Sequence, residues 1–301
     1  MKLPNLKHLH YLVVLYEEQH FHRAASKCHV NQSTLSAAIL TLEDQLQCQL
    51  LERDNKTFSF TPLGVELVNK AEHLLLQSRE WVEYAQSQGQ WDKGQLRLGI
   101  IPTIAPFLLT DMVTCFAQQL PHIQLELLED TTQSLLELLG RGQLDLLLLA
   151  LPIPTPGCRQ RIIGRDPFHL VTHVDSLKHL DERVTLDNLP NAKVFLLQQE
   201  HCLTEHAISA CSLENHSQVS HFYASSLHSL VQMCCVKEGV TFLPNMALKK
   251  GILADYPLTA LPAEPHAFRE IGLVWRNSTT RIQLFHYIAS MLTDLVPEPI
   301  S

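Results

Sequence analysis

The chain has 301 residues and a mass of 34.1 kDa, enough for two domains, and its 46% hydrophobic and 18% charged content excludes a disordered or low-complexity protein. With 23 Lys+Arg against 31 Asp+Glu the net charge is −8, which excludes a partner held mainly by a basic field over the whole molecule. A small DNA-binding module on a larger acidic body remains compatible with it. The first apolar run is soon broken by Glu17 and Glu18, and no apolar stretch is long enough to span a bilayer. A cytoplasmic protein without membrane contact is therefore expected, and its eight cysteines (28, 48, 115, 158, 202, 211, 234 and 235) are expected to be reduced.

Taken in order, the first 60 residues read as short helices with tight connections. Leu9, Leu12, Val13 and Tyr16 recur at helical spacing, His22 to Cys28 makes a short second helix, and Asn31 to Leu51 a third. Asn31 suits an N-cap, after which Leu35, Ile39, Leu42 and Leu46 fall on one face. Phe58-Ser59-Phe60 alternates like a small β-wing, and Thr61-Pro62 opens a helix with Thr as cap and Pro at its first position. That helix is predicted to reach about Gln88. Its stripe of Leu67, Ala71, Leu74, Ser78, Trp81 and Ala85 is a heptad-like seam with one polar position. Such a stripe can pack on its own domain; lying between two units, it is read as a dimerising linker helix closed by Gly89 to Gly94.

From Gln95 the periodicity changes. Strand-like runs at 96–101, 123–129 and 144–151 alternate with helices near 106–119 and 132–140, the pattern of a parallel α/β sheet. A Pro-rich break at 152–157 interrupts it. Strands are then predicted at 167–173, 194–198, 219–224 and 240–243, followed by one at 270–275 and an amphipathic helix ending near Leu295. This pattern predicts two α/β subdomains around a cleft, subdomain I at about 95–165 and 269–301 and subdomain II at about 166–268.

Helix 22–28, a turn at His29-Val30 and helix 31–46 have helix-turn-helix proportions, with Ala24 and Ala25 small enough for close crossing. Gln32, Ser33, Thr34 and Ser36 crowd the start of the second helix, where short hydrogen-bonding side chains meet base edges and phosphates. Any helical pair of this size looks similar by geometry alone. The run FHRAASKCHVNQSTLSAAILTLEDQLQCQLLER followed by FTPLG, however, resembles the winged helix-turn-helix of LysR-type transcriptional regulators, and the likeness extends through the linker helix and the α/β half. The resemblance implies a winged head at 1–61, a dimerisation helix and hinge at 62–94, and a periplasmic-binding-protein-like regulatory domain at 95–301. Residues 37–41 depart from it by carrying no Arg or Lys. Residues 1–61 hold six basic and six acidic residues, so weak binding per head is expected, with helix N-termini, Arg53 at the wing and several heads per assembly making up the difference.

In the second half, Cys202 and Cys211 lie nine positions apart in a stretch without Pro or Gly. If that stretch is helical, their Cα atoms are about 13.5 Å apart, beyond the roughly 7 Å a disulfide allows. Two unrelated structural cysteines fit this spacing; so does a pair whose oxidation refolds the segment. Cys202 follows a strand end and starts a helix, where the macrodipole favours a thiolate, and His201 is adjacent. Thr103 and Thr132 follow the strands at 96–101 and 123–129, so both hydroxyls and Cys202 are candidates for one crevice. His201-Cys202, Cys211, Ile101-Pro102-Thr103, the stretch Glu129 to Thr132 and Arg269 to Val274 resemble the hydrogen-peroxide-sensing members of the LysR family. That resemblance implies Cys202 as the peroxidatic cysteine, Cys211 as the resolving one, and Thr103, Thr132, His201 and Arg269 as the residues shaping the peroxide pocket. Asp130-Thr131 and Leu203-Thr204 depart from the family surroundings. Cys28 and Cys48 read as packing, Cys115 as part of an apolar helix, Cys158 as a loop residue, and Cys234-Cys235 as a vicinal pair of which at most one faces the core. Cys202 with His201 and His206 lacks the closed spacing of a zinc motif, so no metal or cofactor is expected.

The expectation is a non-enzymatic, homodimeric or homotetrameric regulator of promoter DNA, acting with RNA polymerase and reset by a cellular thiol reductant. Two rivals stay open. One is a regulator of the same fold that answers to a small organic effector in the cleft; the other is a thiol peroxidase or small-molecule binding protein.

Overall fold

The chain divides after Gly89 into two units, Met1–Gly89 and Gln90–Ser301. The computed structural model describes residues 3–54, 57–86, 89–177, 193–198, 202–210, 219–235, 239–263 and 267–299.

In the first unit α1 (Leu6–Glu18), α2 (Phe21–Lys27) and α3 (Gln32–Leu46) precede a hairpin of β1 (Leu51–Arg53) and β2 (Phe58–Phe60) and the long α4 (Pro62–Gln86). Asn31 caps α3, its Oδ1 accepting the Thr34 N–H at 2.7 Å. Helices α1 and α3 end on Gln19 and Gln47, both left-handed at φ 47° and 52°. Each amide donates back to a carbonyl three residues earlier, Tyr16 O at 2.7 Å and Asp44 O at 2.6 Å. A donor placed on a carbonyl-rich helix end offsets the cost of a left-handed non-glycine. The third helix thus stops at Leu46 rather than running to Leu51, and Leu46 is exposed instead of sharing the buried face of Leu35, Ile39 and Leu42.

Leu12, Leu15, Ala24, Leu35, Ile39, Leu42, Leu50 and Val68 form the core of this unit. Tyr16 meets Phe60 edge-on at 5.0 Å and Phe21 meets Phe58 at 4.8 Å, which fastens the wing to α1 and α2. Thr61 caps α4, its hydroxyl accepting the Gly64 N–H and donating to Gln49 O, both at 2.9 Å. Along α4, Ala71 joins the core, whereas Leu74, Trp81, Val82 and Tyr84 are exposed, Trp81 at 72%.

The second unit runs β3 (Gly94–Ile100), α5 (Ala105–Gln119), β4 (Ile123–Glu129), α6 (Thr132–Gly140), β5 (Leu146–Leu151) and β6 (Cys158–His173). It continues through β7 (Lys193–Leu197), α7 (Cys202–Ala210), β8 (Val219–Ala224), α8 (Leu227–Cys234), β9 (Gly239–Pro244), α9 (Asn245–Lys249) and β10 (Leu258–Pro262). It closes with β11 (Phe268–Arg276), α10 (Ile282–Thr293) and β12 (Glu298–Pro299). The strand order is β4-β3-β5-β11-β6-β9-β7-β8, with β10 and β12 also on β6. Two parallel groups, β3–β5 and β7–β9, are thus joined by the antiparallel strands β6 and β11. All six residues of β5 are buried, as a strand covered on both faces requires.

Strand β6 is the main departure from the sequence reading. It begins at Cys158, not near 167, so Cys158 is a strand residue rather than a loop residue. Arg159, Gln160, Arg161, Gly164 and Pro167 make a poor strand by propensity. The pairing of residues 158–167 with β11 overrides that weakness. Beyond Phe168 the same strand pairs with β9 and β10 in the other half.

A Cβ on Gly64 would lie 2.2 Å from the Leu50 carbonyl oxygen, a backbone atom that cannot turn aside. Gly64→Ala is expected to destabilise the first unit by about 1–3 kcal/mol. Denaturant unfolding of the full chain should then show an earlier transition for this unit and an unchanged one for the second.

Candidate functional site

The first turn of α3 presents Gln32, Ser33 and Thr34 to solvent, with Ser36 half-buried behind them. Ser33 Oγ donates to the capping Asn31 Oδ1 at 2.8 Å, which leaves its lone pairs outward. The cations of this unit are mostly engaged within it. Lys27 Nζ lies 2.9 Å from Glu17 and 3.2 Å from Glu18, and the hydrogen bond it donates to Glu17 is the main reason its pKa is raised. Arg23 pairs with Glu18 at 3.6 Å. Arg53 lies 3.5 Å from Glu43 Oε2 and 5.9 Å from the centre of the Phe21 ring. Lys7 is exposed, and Lys2 and Lys56 lie outside the described residues.

Glu43 entered the sequence reading only as part of the Leu42-Glu43 pair in the run that resembles the LysR-type head, with no role assigned to it. Its Oε1 accepts the N–H groups of Leu50 and Leu51 at 2.8 and 3.1 Å while Oε2 meets Arg53, so one side chain ties the α3 helix to the wing.

In the second unit Thr103 follows β3 and Thr132 opens α6 after β4, the two parallel strands pairing Ile100 with Glu129. Both threonines therefore stand beyond the carboxyl ends of neighbouring strands. Thr131 caps α6, accepting from Ser134 N–H, and Asp130 Oδ2 accepts the Ser134 hydroxyl at 2.7 Å. Thr103 is buried and Arg269 holds it from behind, with Nη1 donating to Thr103 Oγ1 and Nη2 to Thr103 O, each at 2.9 Å. The same guanidinium donates from Nε and Nη2 to Asp166 Oδ2 at 3.1 and 2.9 Å. Asp166 Oδ1 accepts the Met246 N–H at 2.9 Å, and neither charged side chain is exposed.

Asp166 is a second residue the sequence reading missed. A lone carboxylate before the apolar strand run at 168–171, and a lone guanidinium before the one at 271–275, were the signal for the pair.

Helix α7 starts at Cys202, beyond the end of β7, and packs on β7 and β11. Leu203 and Ala207 are buried in the core, and the buried Thr204 hydroxyl donates to Leu197 O at 2.8 Å. Glu205, three residues after Cys202, lines an open cleft of about 870 Å³ together with Thr131, Thr132 and Ser134 of α6 and Ile153 and Pro154 of the Pro-rich loop. His201 and Cys211 lie outside the described residues, and of Cys202 only the backbone position is described.

Burial pushes the Cys234 thiol up to about 12 and raises the Cys28, Cys158 and Cys235 thiols as well, so these four are held protonated near neutral pH. Cys234 is fully buried and Cys235 half-buried, the division the helical spacing predicted. Among the described residues no group of three or more His, Cys, Asp or Glu is placed to hold a metal ion, and no helix is long and apolar enough to cross a membrane.

Residues 6–65 match the family described as bacterial regulatory helix-turn-helix protein, lysR family, and residues 89–294 match the LysR substrate binding domain. Over 291 residues the chain is 38% identical to the HTH-type transcriptional regulator EstR of Acinetobacter baylyi, covering 96% of each protein. It is 35% identical over 273 residues to the hydrogen peroxide-inducible genes activator of Dickeya chrysanthemi, covering 90% of this chain and 89% of that one. The reduced form of the regulatory domain of OxyR2 from Vibrio vulnificus superposes with a TM-score of 0.65 at 45% identity, covering 68% of this chain and 96% of that one.

Replacing Glu17 and Glu18 together by Gln releases Lys27 and Arg23 from their partners and adds two units of positive charge to the first unit. Affinity for duplex DNA at low salt is expected to rise, and the slope of log K against log salt to steepen by about 1–2. Fluorescence anisotropy over a salt series measures both; an unchanged slope would show that these cations do not meet phosphate.

Proposed function

The chain belongs to the LysR family of bacterial regulatory helix-turn-helix proteins, and we propose that it is a cytoplasmic promoter-binding regulator switched by hydrogen peroxide through a reversible Cys202–Cys211 disulfide. The observation that carries this reading is the position of Cys202 as the first residue of α7, on a helix whose Glu205 lines the same cleft as Thr132. The likeness to a peroxide-inducible activator over nine-tenths of the chain supports it. A thiolate there gains from the helix dipole. It attacks one oxygen of hydrogen peroxide, the O–O bond breaks, and the departing hydroxide takes a proton to become water. The resulting Cys202 sulfenic acid condenses with the Cys211 thiol, forming the disulfide and releasing a second water. Thr103 and Thr132 hydroxyls, with His201, serve the departing oxygen, and Arg269 acts on it through Thr103.

Helix α7 sets the cost of the switch. Eight rises of about 1.5 Å separate the Cα atoms of Cys202 and Ala210, and one further step of 3.8 Å cannot bring position 211 closer to Cys202 than about 8 Å, beyond disulfide range. The bond therefore requires the helix to open. Withdrawing Leu203 from the core costs about 1.5–3 kcal/mol and losing the Thr204 hydrogen bond about 1 kcal/mol. In a two-electron couple about 3 kcal/mol corresponds to about 65 mV, a cost the oxidation meets while keeping the reduced fold dominant without peroxide. In this reading the opened segment changes how regulatory domains dock in a homodimer or homotetramer, which resets the spacing of the DNA-binding heads. Gln32, Ser33, Thr34 and Ser36 then read DNA, Arg53 approaches its backbone at the wing, RNA polymerase responds, and a cellular thiol reductant restores the dithiol.

A second reading has its own support. The open cleft of about 870 Å³ fits a regulator answering to a small organic effector, and the 38% identity to EstR is to a regulator whose name does not mention peroxide. The deciding experiment treats the reduced protein with one equivalent of hydrogen peroxide and maps disulfides by peptide mass spectrometry, with promoter binding followed in parallel. A fast, thiol-reversible Cys202–Cys211 bond that changes DNA binding, lost in Cys202→Ser, is the expected result. Oxidation no faster than that of Cys115, with an unchanged DNA response in Cys202→Ser, would leave the effector reading.

Thr204→Val keeps the shape of the side chain and removes its hydrogen bond, so it destabilises the reduced helix without touching either cysteine. The midpoint potential is expected to move about 10–30 mV more negative. A glutathione redox titration reads this shift, and an unchanged or more positive potential would separate α7 opening from disulfide formation.

A further inference from the structure

The buried carboxylate of Asp166 has no role in the reaction as described above, yet it organises the residues on which that reaction depends. Its Oδ2 accepts two donors of Arg269, and its Oδ1 accepts the Met246 N–H at the start of α9. Asp166 and Arg269 are Cα partners in the β6–β11 ladder, beside the point where β6 changes partner from β11 to β9. The guanidinium is thereby fixed in one orientation and delivers Nη1 to Thr103 Oγ1 and Nη2 to Thr103 O. A hydroxyl that accepts from a cation keeps its own hydrogen for another acceptor. Arg269 contributes no acceptor, so it cannot take that hydrogen back.

We propose that Asp166 is a positioning residue for peroxide reduction: by clamping Arg269 between the two subdomains it orients the Thr103 hydroxyl so that its hydrogen faces the departing oxygen. This rests on the peroxide reading of the site. The step assisted is cleavage of the O–O bond, in which the Cys202 sulfur gains one oxygen as sulfenic acid and the second oxygen leaves as hydroxide. Thr103 donates a hydrogen bond to that hydroxide and ends the step with its own proton in place, while the proton that Cys202 released to solvent on ionising returns from solvent to make the product water. Because Asp166 also accepts the Met246 N–H in the first turn of α9, the same carboxylate makes the donor geometry depend on how the two halves of the sheet are held at β6.

The test compares two reactions of Cys202 in the full-length reduced protein, oxidation by hydrogen peroxide and alkylation by iodoacetamide, each followed by quenching and peptide mass spectrometry. Alkylation needs the thiolate and access to it but no hydrogen bond to a departing hydroxide. Asp166→Asn keeps an acceptor for Met246 and removes the charge that fixes Arg269. Thr103→Val keeps the Arg269–Asp166 pair and removes the hydroxyl. Each is expected to slow peroxide oxidation by about 10- to 100-fold while leaving alkylation and its pH profile within about twofold of wild type. Thr103→Ser is expected to restore the rate. In the double variant the loss should be no larger than that of the worse single one, because both act through one hydroxyl.

Undiminished peroxide reactivity in Thr103→Val would overturn the proposal whatever the folding of Asp166→Asn. So would multiplying losses in the double variant, or alkylation falling in step with oxidation. If wild-type Cys202 itself reacts with peroxide no faster than Cys115, the peroxide reading has failed and this inference falls with it. A fast wild type beside an unaffected Thr103→Val removes Asp166 alone.

Discussion

The second unit depends on one ion pair that water does not reach. Removing a carboxylate and a guanidinium from water costs several kcal/mol per ion, and only good geometry with further hydrogen bonds repays it. Asp166 and Arg269 meet that requirement: two donors enter one carboxylate oxygen, a backbone N–H enters the other, and two further guanidinium donors meet the hydroxyl and carbonyl of Thr103. Apolar residues of the same volume could fill the space at no loss of stability. What they could not do is tie the loop after β3, the ladder of β6 and β11, and the start of α9 to one another by directional bonds. The pair therefore specifies geometry more than it adds stability, and the residue it holds most firmly is the threonine expected to serve the reaction.

A different balance governs α7. One face of this helix, Leu203, Thr204 and Ala207, belongs to the core, and Glu205 faces the cleft. The helix has only nine residues and is too short to hold its form without tertiary contacts. Its stability is consequently that of a few buried groups, a few kcal/mol, which lies within reach of a chemical event at its first residue. In the proposed switch a longer or more apolar helix would resist opening, and a more polar one would not keep its core face packed. Asp166, by contrast, is held by three hydrogen bonds from residues of two other elements, so its surroundings depend on more than a few buried groups.

Elements dominated by local sequence were legible from the chain alone. The all-apolar 146–151 run reads as a buried strand, Asn31 as a cap, and Thr61-Pro62 as a helix start, because each rests on interactions within a few residues. The first half of β6 was not legible, since its Arg159, Arg161 and Gly164 form a strand only through pairing with residues more than a hundred positions away. The end of α3 was misplaced for a related reason. Leu46 continues the apolar period, but the left-handed Gln47 stops the helix, and nothing in a hydrophobic pattern reports a backbone sign change. At the site, Thr103 and Thr132 followed from strand ends, whereas Asp166 and Glu43 did not. A buried carboxylate is recognised by its partners, and Arg269 lies 103 residues from Asp166.

The same contrast bears on how the head binds DNA. Its formal neutrality in the sequence understates the matter, because Lys27, Arg23 and Arg53 each have a carboxylate partner in the folded unit. A cation already paired releases less free energy on meeting phosphate, since the carboxylate it leaves must be rehydrated beside the duplex. One head is then expected to bind weakly, with a shallow salt dependence, and useful affinity has to come from several heads bound at once. Linked heads gain by effective concentration only when their spacing matches the sites. Weak heads thus turn a change in spacing into a large change in occupancy, whereas strongly basic heads would hold DNA in either arrangement. The exposed apolar face of α4, with Trp81 at 72%, supplies the surface through which copies would be linked. If the regulatory unit switches as proposed, the poverty of charge in the head serves that switch, since it leaves the spacing of the heads to decide whether DNA is held.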